Sequence, residues 1–253
     1  MRALVLSGGG SHGAWQAGAI AHLMERGHQW DVIVGTSVGA INGAMLSTLG
    51  VDEMLALWYG IKSRRDVMRF QFPLPWKYSG VYNFKPLEKL IRKKIIGKSF
   101  SIQTYATVVD LKRIEDVAIP LGVSDALTLD ALIGSSSIAG IHVLPKSLWV
   151  DGGHREVAPV KYAKAMGATE IDVVLADPVE NGASEWSPNG ILPLPAIAFR
   201  GIQAMVNEIL EADVASDCHV YAPITSLPYD PLDYRPSEIR IMIQRGYSLD
   251  RSQ

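Results

Sequence analysis

A serine flanked by glycines is the first residue of this chain that could carry chemistry. The pentapeptide Gly35-Thr36-Ser37-Val38-Gly39 follows a β-branched run and precedes a stretch of small apolar residues. A G-x-S-x-G pattern between a strand and a helix is typical of a nucleophile elbow, whose sharp turn exposes the serine hydroxyl. Gly35 and Gly39 keep that turn free of side chains, and the amide of Val38 would face a developing oxyanion. Ser37 is therefore the candidate nucleophile, with a plain glycine-rich turn as the alternative.

A glycine cluster near the start of the chain offers backbone donors for an anion. The hexad Gly8-Gly9-Gly10-Ser11-His12-Gly13 follows an apolar run and precedes an Ala-rich helical stretch. Unhindered N–H groups at a helix N-terminus bind anions, so the hexad predicts an oxyanion loop, with His12 as a candidate contact to substrate or phosphate. The hexad also fits the G-x-G-x-x-G of dinucleotide sites. Such sites expect an acidic residue at the end of the second strand, whereas Asp31 precedes that strand, and a nucleotide-binding module stays an alternative.

The third motif is Val150-Asp151-Gly152-Gly153, an aspartate at the exit of a predicted strand. Gly152 and Gly153 allow another backbone to approach closely, although Asp and Gly also favour an ordinary β-turn. A serine hydroxyl needs a base, and an aspartate with a pKa near ~3.9 is a poor base at neutral pH. We therefore expect burial or a direct hydrogen bond to adapt Asp151, which should contact Ser37.

A Ser-Asp-His triad is the competing mechanism for an esterase or thioesterase. In that order the histidine must follow Asp151, and His154 and His219 are the two candidates. His154 follows the aspartate very closely in sequence, and His219 precedes a predicted strand. A structural role is the favoured interpretation of both histidines.

The elements that must position these motifs alternate between strands and helices. Two strand-turn-helix units in succession predict a parallel sheet with crossover helices, whose sites lie at the carboxyl ends of the strands. Residues 70–84, rich in proline and aromatic side chains, predict a surface excursion. The patterns predict strands at 3–7, 31–34, 105–110, 115–120, 147–151 and 171–176, and helices at 14–25, 38–49, 85–96, 128–138, 160–166 and 195–215.

Composition indicates one ordinary globular domain over residues 1–253, with 48% hydrophobic and 20% charged residues. A formal net charge of -2 predicts no broad basic field, which argues against a nucleic-acid partner and requires any lipid contact to be local. Cys218 is the single cysteine, so no internal disulfide can form and a cytoplasmic location is expected. The uncharged residues 32–51 contain four glycines and do not predict a membrane span.

With its three motifs in this order, the chain resembles the patatin-like phospholipase family. That family has a glycine-rich loop near its start, a G-x-S-x-G soon after, and a later D-G-G or D-G-A. The likeness extends over nearly the whole chain. It includes residues 35–43, Ser135-Ser136-Ser137-Ile138 ahead of Pro145, Pro159-Val160, and Arg245-Gly246-Tyr247.

The resemblance implies a three-layer α/β/α sandwich with a mainly parallel central sheet. It also implies a phospholipase A or lysophospholipase type of hydrolase, in which a Ser37/Asp151 dyad cleaves acyl esters without histidine, metal or cofactor. By this resemblance, the residues from Gly8 to Gly13 form the oxyanion loop. One residue of the loop departs from the family pattern, because the family usually has Arg or Lys where this chain has His12.

The expected partner is a lipid or another acyl-ester substrate. Peripheral contact with a membrane or micelle is expected from the apolar residues 70–76 and 191–199. A lipid-binding scaffold without catalysis is a further alternative, and the sequence assigns no oligomeric state.

Overall fold

The computed structural model describes residues 1–71, 80–178, 218–224, 227 and 230–249. The strands of these residues are β1 (Arg2–Leu6), β2 (Val32–Thr36), β3 (Arg69–Phe70), β4 (Tyr82–Asn83), β5 (Gln103–Asp110), β6 (Glu115–Pro120), β7 (Trp149–Asp151), β8 (Glu170–Val174) and β9 (His219–Tyr221). The α-helices are α1 (Gly13–Glu25), α2 (Val38–Leu49), α3 (Val51–Tyr59), α4 (Lys85–Lys94), α5 (Asp125–Ser135), α6 (Val160–Ala165) and α7 (Pro236–Ser248).

A mainly parallel sheet of seven strands forms the centre of the molecule. Its order is β6-β5-β2-β1-β8-β9, and β7 pairs with β5. Every pairing from β5 through β2, β1 and β8 to β9 is parallel, whereas β6 and β7 run antiparallel to β5. The predicted parallel sheet is confirmed, and the two antiparallel strands gather on β5.

The side chains of the central strands alternate between two apolar layers. Leu4 and Leu6 of β1 belong to a large core that also includes residues of α1, α2 and α7. Ala3 and Val5 face the other way and pack with a smaller core that includes Val160 of α6. Because successive strand residues point to opposite faces, helices cover both sides of the sheet, which confirms the three-layer α/β/α fold.

Most predicted elements are present with shifted ends. Helix α5 begins at Asp125 and not at residue 128, because the Ser124 side chain accepts a hydrogen bond from the Leu127 N–H and caps it. The excursion expected at 70–84 contains the short pair β3 and β4 at its two ends, and residues 72–79 lie outside the described part. The helix expected at 195–215 also lies outside it.

Helices α3 and α7 and the short strands β3 and β4 were not predicted from the sequence, whereas β9 lies where a strand was expected after His219. Helix α3 follows α2 after the single residue Gly50, which adopts a φ of 82° and so breaks the helical run.

Within the described residues, no helix combines the length and the apolar character that crossing a bilayer requires.

Helices α1 and α7 pack with their backbones in close approach. A Cβ atom at Gly246 would lie 1.9 Å from the Trp15 carbonyl oxygen, and one at Gly18 would lie 2.1 Å from the Ile243 carbonyl oxygen. Neither position has room for a side chain. The two glycines therefore set the distance at which α7 packs against the helix that follows the glycine loop.

This packing predicts that Gly246→Ala lowers the free energy of unfolding by about 1–3 kcal/mol, because the added methyl group must push α7 from α1. At an unhindered helical site, the same substitution would instead stabilise by about 1 kcal/mol. Urea unfolding of Gly246→Ala beside Gln244→Ala, an exposed control on α7, measures the effect. A Gly246→Ala protein as stable as the control would contradict the close approach.

Candidate active site

Ser37 lies at the tight turn between β2 and α2. Its backbone has φ 56° and ψ -122°, a strained conformation for a residue with a side chain, which costs about 1–3 kcal/mol. A Cβ atom at Gly35 would lie 2.5 Å from the Ala40 nitrogen, and one at Gly39 would lie 2.3 Å from the Leu6 carbonyl oxygen. Both positions require glycine, because the end of β2 approaches the backbone of α2 at Gly35, and α2 approaches the backbone of β1 at Gly39.

The strand register brings Asp151 to the end of β2. Thr36, the last residue of β2, pairs with Thr107 of β5. Asp151, the last residue of β7, pairs with Val108, the next residue of β5. Strands β2 and β7 therefore approach from opposite directions along one side of β5, and their ends meet where Ser37 begins its turn.

The Ser37 hydroxyl lies beside the carboxylate of Asp151 and acts to lower the pKa of that carboxyl by stabilising its charged form. The same carboxylate accepts the Gly153 N–H at 2.8 Å through Oδ1. The Asp151 N–H donates to the Ser137 carbonyl oxygen at 2.9 Å. Both the side chain and the main chain of Asp151 are thus held in place at the serine.

Burial raises the pKa of the Asp151 carboxyl above its ordinary value of 3.8, because the charged form loses its water. The Ser37 hydroxyl, the neighbouring His154 and the Gly153 N–H oppose this rise. The side chain is only 7% exposed. A raised pKa makes an aspartate a better proton acceptor from a hydroxyl than a free one.

The glycine loop lies directly beside the serine. A Cβ atom at Gly8 would lie 3.4 Å from the Ser37 Cβ, so the loop and the elbow are in contact. A buried polar network ties the two together: the Asn42 side-chain amide of α2 donates to the Gly13 carbonyl oxygen and to the Gln16 side chain of α1, at 2.9 Å each. The Trp58 indole N–H of α3 donates to Asn42 Oδ1 at 2.8 Å.

Several N–H groups of the hexad are already used inside the protein. Those of Gly8, Ser11 and His12 donate to the carbonyl oxygens of Val157, Pro231 and Gly9. The Gly13 N–H donates to the carbonyl oxygens of Gly10 and Ser11, within the hexad itself.

The donors left for a ligand are fewer than the sequence indicated. Within the described part of the chain, the N–H groups of Gly9 and Gly10 have no protein acceptor, and neither has the Val38 N–H at the start of α2. These three N–H groups lie on the loop and on the elbow. They are the candidate oxyanion donors.

The fold, the elbow, the loop and the aspartate agree with one family. The family model of patatin-like phospholipases matches residues 4–164, which is more than half of the chain. This chain belongs to the patatin-like phospholipase family. The match includes all three motifs of this patatin-like protein.

Two curated proteins are similar to this patatin-like chain. Lysophospholipase nte1 of Aspergillus terreus is 26% identical over 266 aligned residues, covering 91% of this chain and 17% of that protein. A patatin-like phospholipase domain-containing protein of Caenorhabditis elegans is 31% identical over 81 residues, covering 31% of this chain and 7% of that protein. The chain thus spans less than a fifth of the length of these relatives.

His12 lies beneath the glycine loop of this patatin-like site. It is 3% exposed, and its Nδ1 lies 2.6 Å from Asp177 Oδ1. A Cβ atom at Gly9 would lie 3.3 Å from the other Asp177 oxygen, so this carboxylate is close to the candidate oxyanion donors. The predicted contact of His12 with substrate or phosphate stays a prediction.

Neither histidine of the alternative triad lies between Ser37 and Asp151. His154 Nδ1 donates to the main-chain oxygen of Asp151 at 2.8 Å and lies at the wall of the site. His219 is exposed on β9, where it pairs with Asp172 in the middle of β8.

An apolar cavity of about 500 Å³ extends away from Ser37 and Asp151. Its wall continues along α2, α3 and α4, and includes Val38, Ile41, Met45, Trp58, Ile61, Val67, Met68, Phe84, Leu87 and Leu90. His142 is a polar residue in this wall: its ring stacks on Phe84 at 4.3 Å between ring centres, and among the described residues its Nε2 has no hydrogen-bond partner. Burial lowers the pKa of His142 to about 4, so the ring is neutral at neutral pH.

Ser135 supports the site, a role that was not predicted from the sequence. Its Oγ accepts the Ser37 N–H at 2.8 Å, at the C-terminal end of α5. In the sequence, the run Ser135-Ser136-Ser137 indicates only a likeness to the family and assigns no role to Ser135. No local pattern shows that a residue 98 positions away accepts the elbow N–H.

We expect Ser135→Ala to lower the free energy of unfolding by about 1–3 kcal/mol, because a buried N–H of the elbow loses its acceptor. Ester turnover should fall with it. Ser137→Ala is the matched control, since its hydroxyl donates to the Ile133 carbonyl oxygen in the last turn of α5 and not to a group of the elbow. Thermal unfolding and ester hydrolysis of both variants test this, and equal effects would argue against a special role of Ser135.

Proposed function

We propose that this protein hydrolyses acyl esters of lipids, with Ser37 as the nucleophile and Asp151 as its base. The placement of the Ser37 hydroxyl beside the buried Asp151 carboxylate, at one end of an apolar cavity, carries the proposal. Membership of the patatin-like phospholipase family supports it.

The first half of the reaction acylates the serine. Ser37 Oγ attacks the ester carbonyl carbon while its proton passes to Asp151, which forms a tetrahedral oxyanion. The N–H groups of Gly9, Gly10 and Val38 are the donors available to this oxygen. The intermediate then collapses: the bond to the leaving oxygen breaks, and Asp151 returns the proton to the departing alcohol.

The second half releases the fatty acid. A water molecule gives a proton to Asp151 and attacks the acyl-serine carbon, again through an oxyanion that the same donors stabilise. When this intermediate collapses, the proton returns to Ser37 Oγ and the carboxylic acid leaves. Asp151 acts as base and acid in turn, so the direct contact with Ser37 makes an intervening histidine unnecessary.

The cavity suits an acyl chain, because its volume of about 500 Å³ is that of a small-molecule pocket and most of its wall is apolar. The similar Aspergillus terreus protein is named a lysophospholipase. A lysophospholipid, which has one acyl chain, is therefore the first natural substrate to test.

Removing the nucleophile or the base should abolish activity without unfolding the protein. We expect Ser37→Ala to lower kcat/KM at least about a thousandfold and Asp151→Asn at least about a hundredfold. Hydrolysis of p-nitrophenyl esters and of lysophosphatidylcholine, with fluorophosphonate labelling of the serine, measures these effects. His219→Ala, which changes an exposed residue, is the control.

Other outcomes favour the alternatives. Loss of turnover in His154→Ala comparable with that in Asp151→Asn would favour a histidine base. Lipid binding by folded wild type without labelling or turnover would indicate a binding scaffold, and saturable nucleotide binding would favour a nucleotide module.

The buried carboxyl also predicts the pH dependence. Only the ionised form of Asp151 accepts the serine proton, so turnover should fall as the pH drops through its raised pKa, at a higher pH than an ordinary carboxyl would give. A raised pKa in the folded state means that the fold loses stability as the pH rises through that range.

Asp151→Asn should therefore unfold at a higher temperature than wild type at neutral pH, and the difference should shrink below the ordinary pKa of 3.8. Thermal unfolding across pH measures it. A variant less stable than wild type at pH 7 would show that the hydrogen bonds of the carboxylate outweigh its burial.

A further inference from the structure

Although the net charge of the chain is small, positively charged residues strongly outnumber acidic ones in one part of it. The described residues 62–71 and 80–98 contain ten of the 24 Lys and Arg residues and two of the 26 acidic residues. The remainder of the chain is correspondingly acidic. Within this part, the Lys and Arg side chains of residues 62–69 and 85–93 are all exposed, and we name them the basic face.

The segments of the basic face lie together in space. The Leu87 N–H in the first turn of α4 donates to the Val67 carbonyl oxygen at 3.2 Å, which joins α4 to residues 62–69. The Arg64 guanidinium lies 5.3 Å from the centre of the Tyr82 ring on β4. The positive charges therefore form one surface.

A row of like charges runs along α4. Lys85, Lys89 and Lys93 follow each other at intervals of four residues, so they lie on one side of the helix, where like charges destabilise it. In the described part of the chain none of the three has a salt-bridge partner, whereas Arg92 on the same helix pairs with Glu88 at 2.9 Å. This row needs a reason outside the fold.

The cavity of the active site reaches this surface. Besides Ser37 and Asp151, its wall includes the exposed residues Gly60, Lys89 and Lys93, between α3 and α4. Phe70, 62% exposed on β3, adds a large apolar side chain at the basic face. Positive charge, an exposed aromatic ring and the apolar wall of the cavity thus occur together.

We propose that the basic face docks this protein on a lipid surface that contains anionic lipids, with the cavity opening toward the acyl chains. Clusters of four to eight Lys and Arg residues bind anionic bilayers, and an apolar side chain among them enters the interface. A nucleic acid would match the charge but not the apolar cavity that opens beside it. The effect on lipid turnover rests on the proposed hydrolase function, whereas the docking itself does not.

Binding is measured with the full chain carrying Ser37→Ala, so that vesicles are not consumed. The probes are vesicles of phosphatidylcholine alone and of phosphatidylcholine with an equal part of phosphatidylglycerol. We expect at least tenfold tighter binding to the anionic vesicles, and weaker binding as salt is raised, because salt screens exposed charges. Equal binding to both vesicles, or binding to RNA and to neither vesicle, would overturn the proposal.

A charge reversal localises the surface. Arg65→Glu, Arg69→Glu and Lys85→Glu together change exposed residues outside the cavity wall, and should weaken binding to anionic vesicles at least tenfold. Arg26→Glu, Lys164→Glu and Arg240→Glu make the same change in net charge on exposed residues of other parts of the molecule, and should have less than a twofold effect. Similar losses in both triple variants would refute the assignment to this face.

Turnover separates this proposal from the proposed function. With Ser37 intact, the basic-face variant should hydrolyse soluble p-nitrophenyl butyrate at the wild-type rate, and lysophosphatidylglycerol in anionic vesicles at least fivefold more slowly. If wild type binds anionic vesicles through this face yet hydrolyses no ester, the docking surface stands and the hydrolase assignment fails. Unchanged vesicle hydrolysis by the variant, with wild type active, would overturn the docking surface alone.

Discussion

The site depends on a single feature of the sheet: two strands end head to head against neighbouring residues of β5. Thr107 pairs with the end of β2 and Val108 with the end of β7, so Ser37 and Asp151 have no strand between them. A Cβ atom at Gly152 would lie 2.4 Å from Thr107 Oγ1, which is why a glycine must follow the aspartate. The D-G-G motif is thus a packing requirement of β5 as well as a source of a carboxylate.

The same few residues hold both strain and buried charge. Ser37 has a positive φ, and Asp151 is a carboxylate largely removed from water. Hydrogen bonds hold both residues in place: the Ser135 hydroxyl accepts the Ser37 N–H, and the Ser137 carbonyl oxygen accepts the Asp151 N–H. The fully buried side chains of Asn42 and Gln16 connect α2 to α1 and to the glycine loop. Functional sites commonly retain such locally unfavourable groups because the rest of the fold supports them.

Local patterns were sufficient for the centre of the fold. Alternating side chains in β1, the β-branched run of β2 and the small residues of α2 each act over a few neighbouring residues, and the structure contains these elements. The parallel direction of the central strands was also predicted correctly, because successive strand-turn-helix units connect parallel strands through crossovers of one preferred handedness. Helices α3 and α7 were missed, although the buried Ile239, Met242, Ile243 and Gly246 of α7 have helical spacing. The close fit of Gly246 and Gly18 between α7 and α1 is visible only in the tertiary structure.

The sequence by itself determined the residue types of the site, their order and the sheet edge where they would lie, because each motif is a local turn at a strand end. Only the tertiary structure decided the rest. It selected Gly9 and Gly10 from the hexad, since the other N–H groups find acceptors on distant segments or within the hexad itself. It assigned Ser135 to the elbow and brought the basic residues of 62–69 and 85–93 together on one surface. These outcomes depend on contacts between residues far apart in the chain, which spacing along a sequence does not encode.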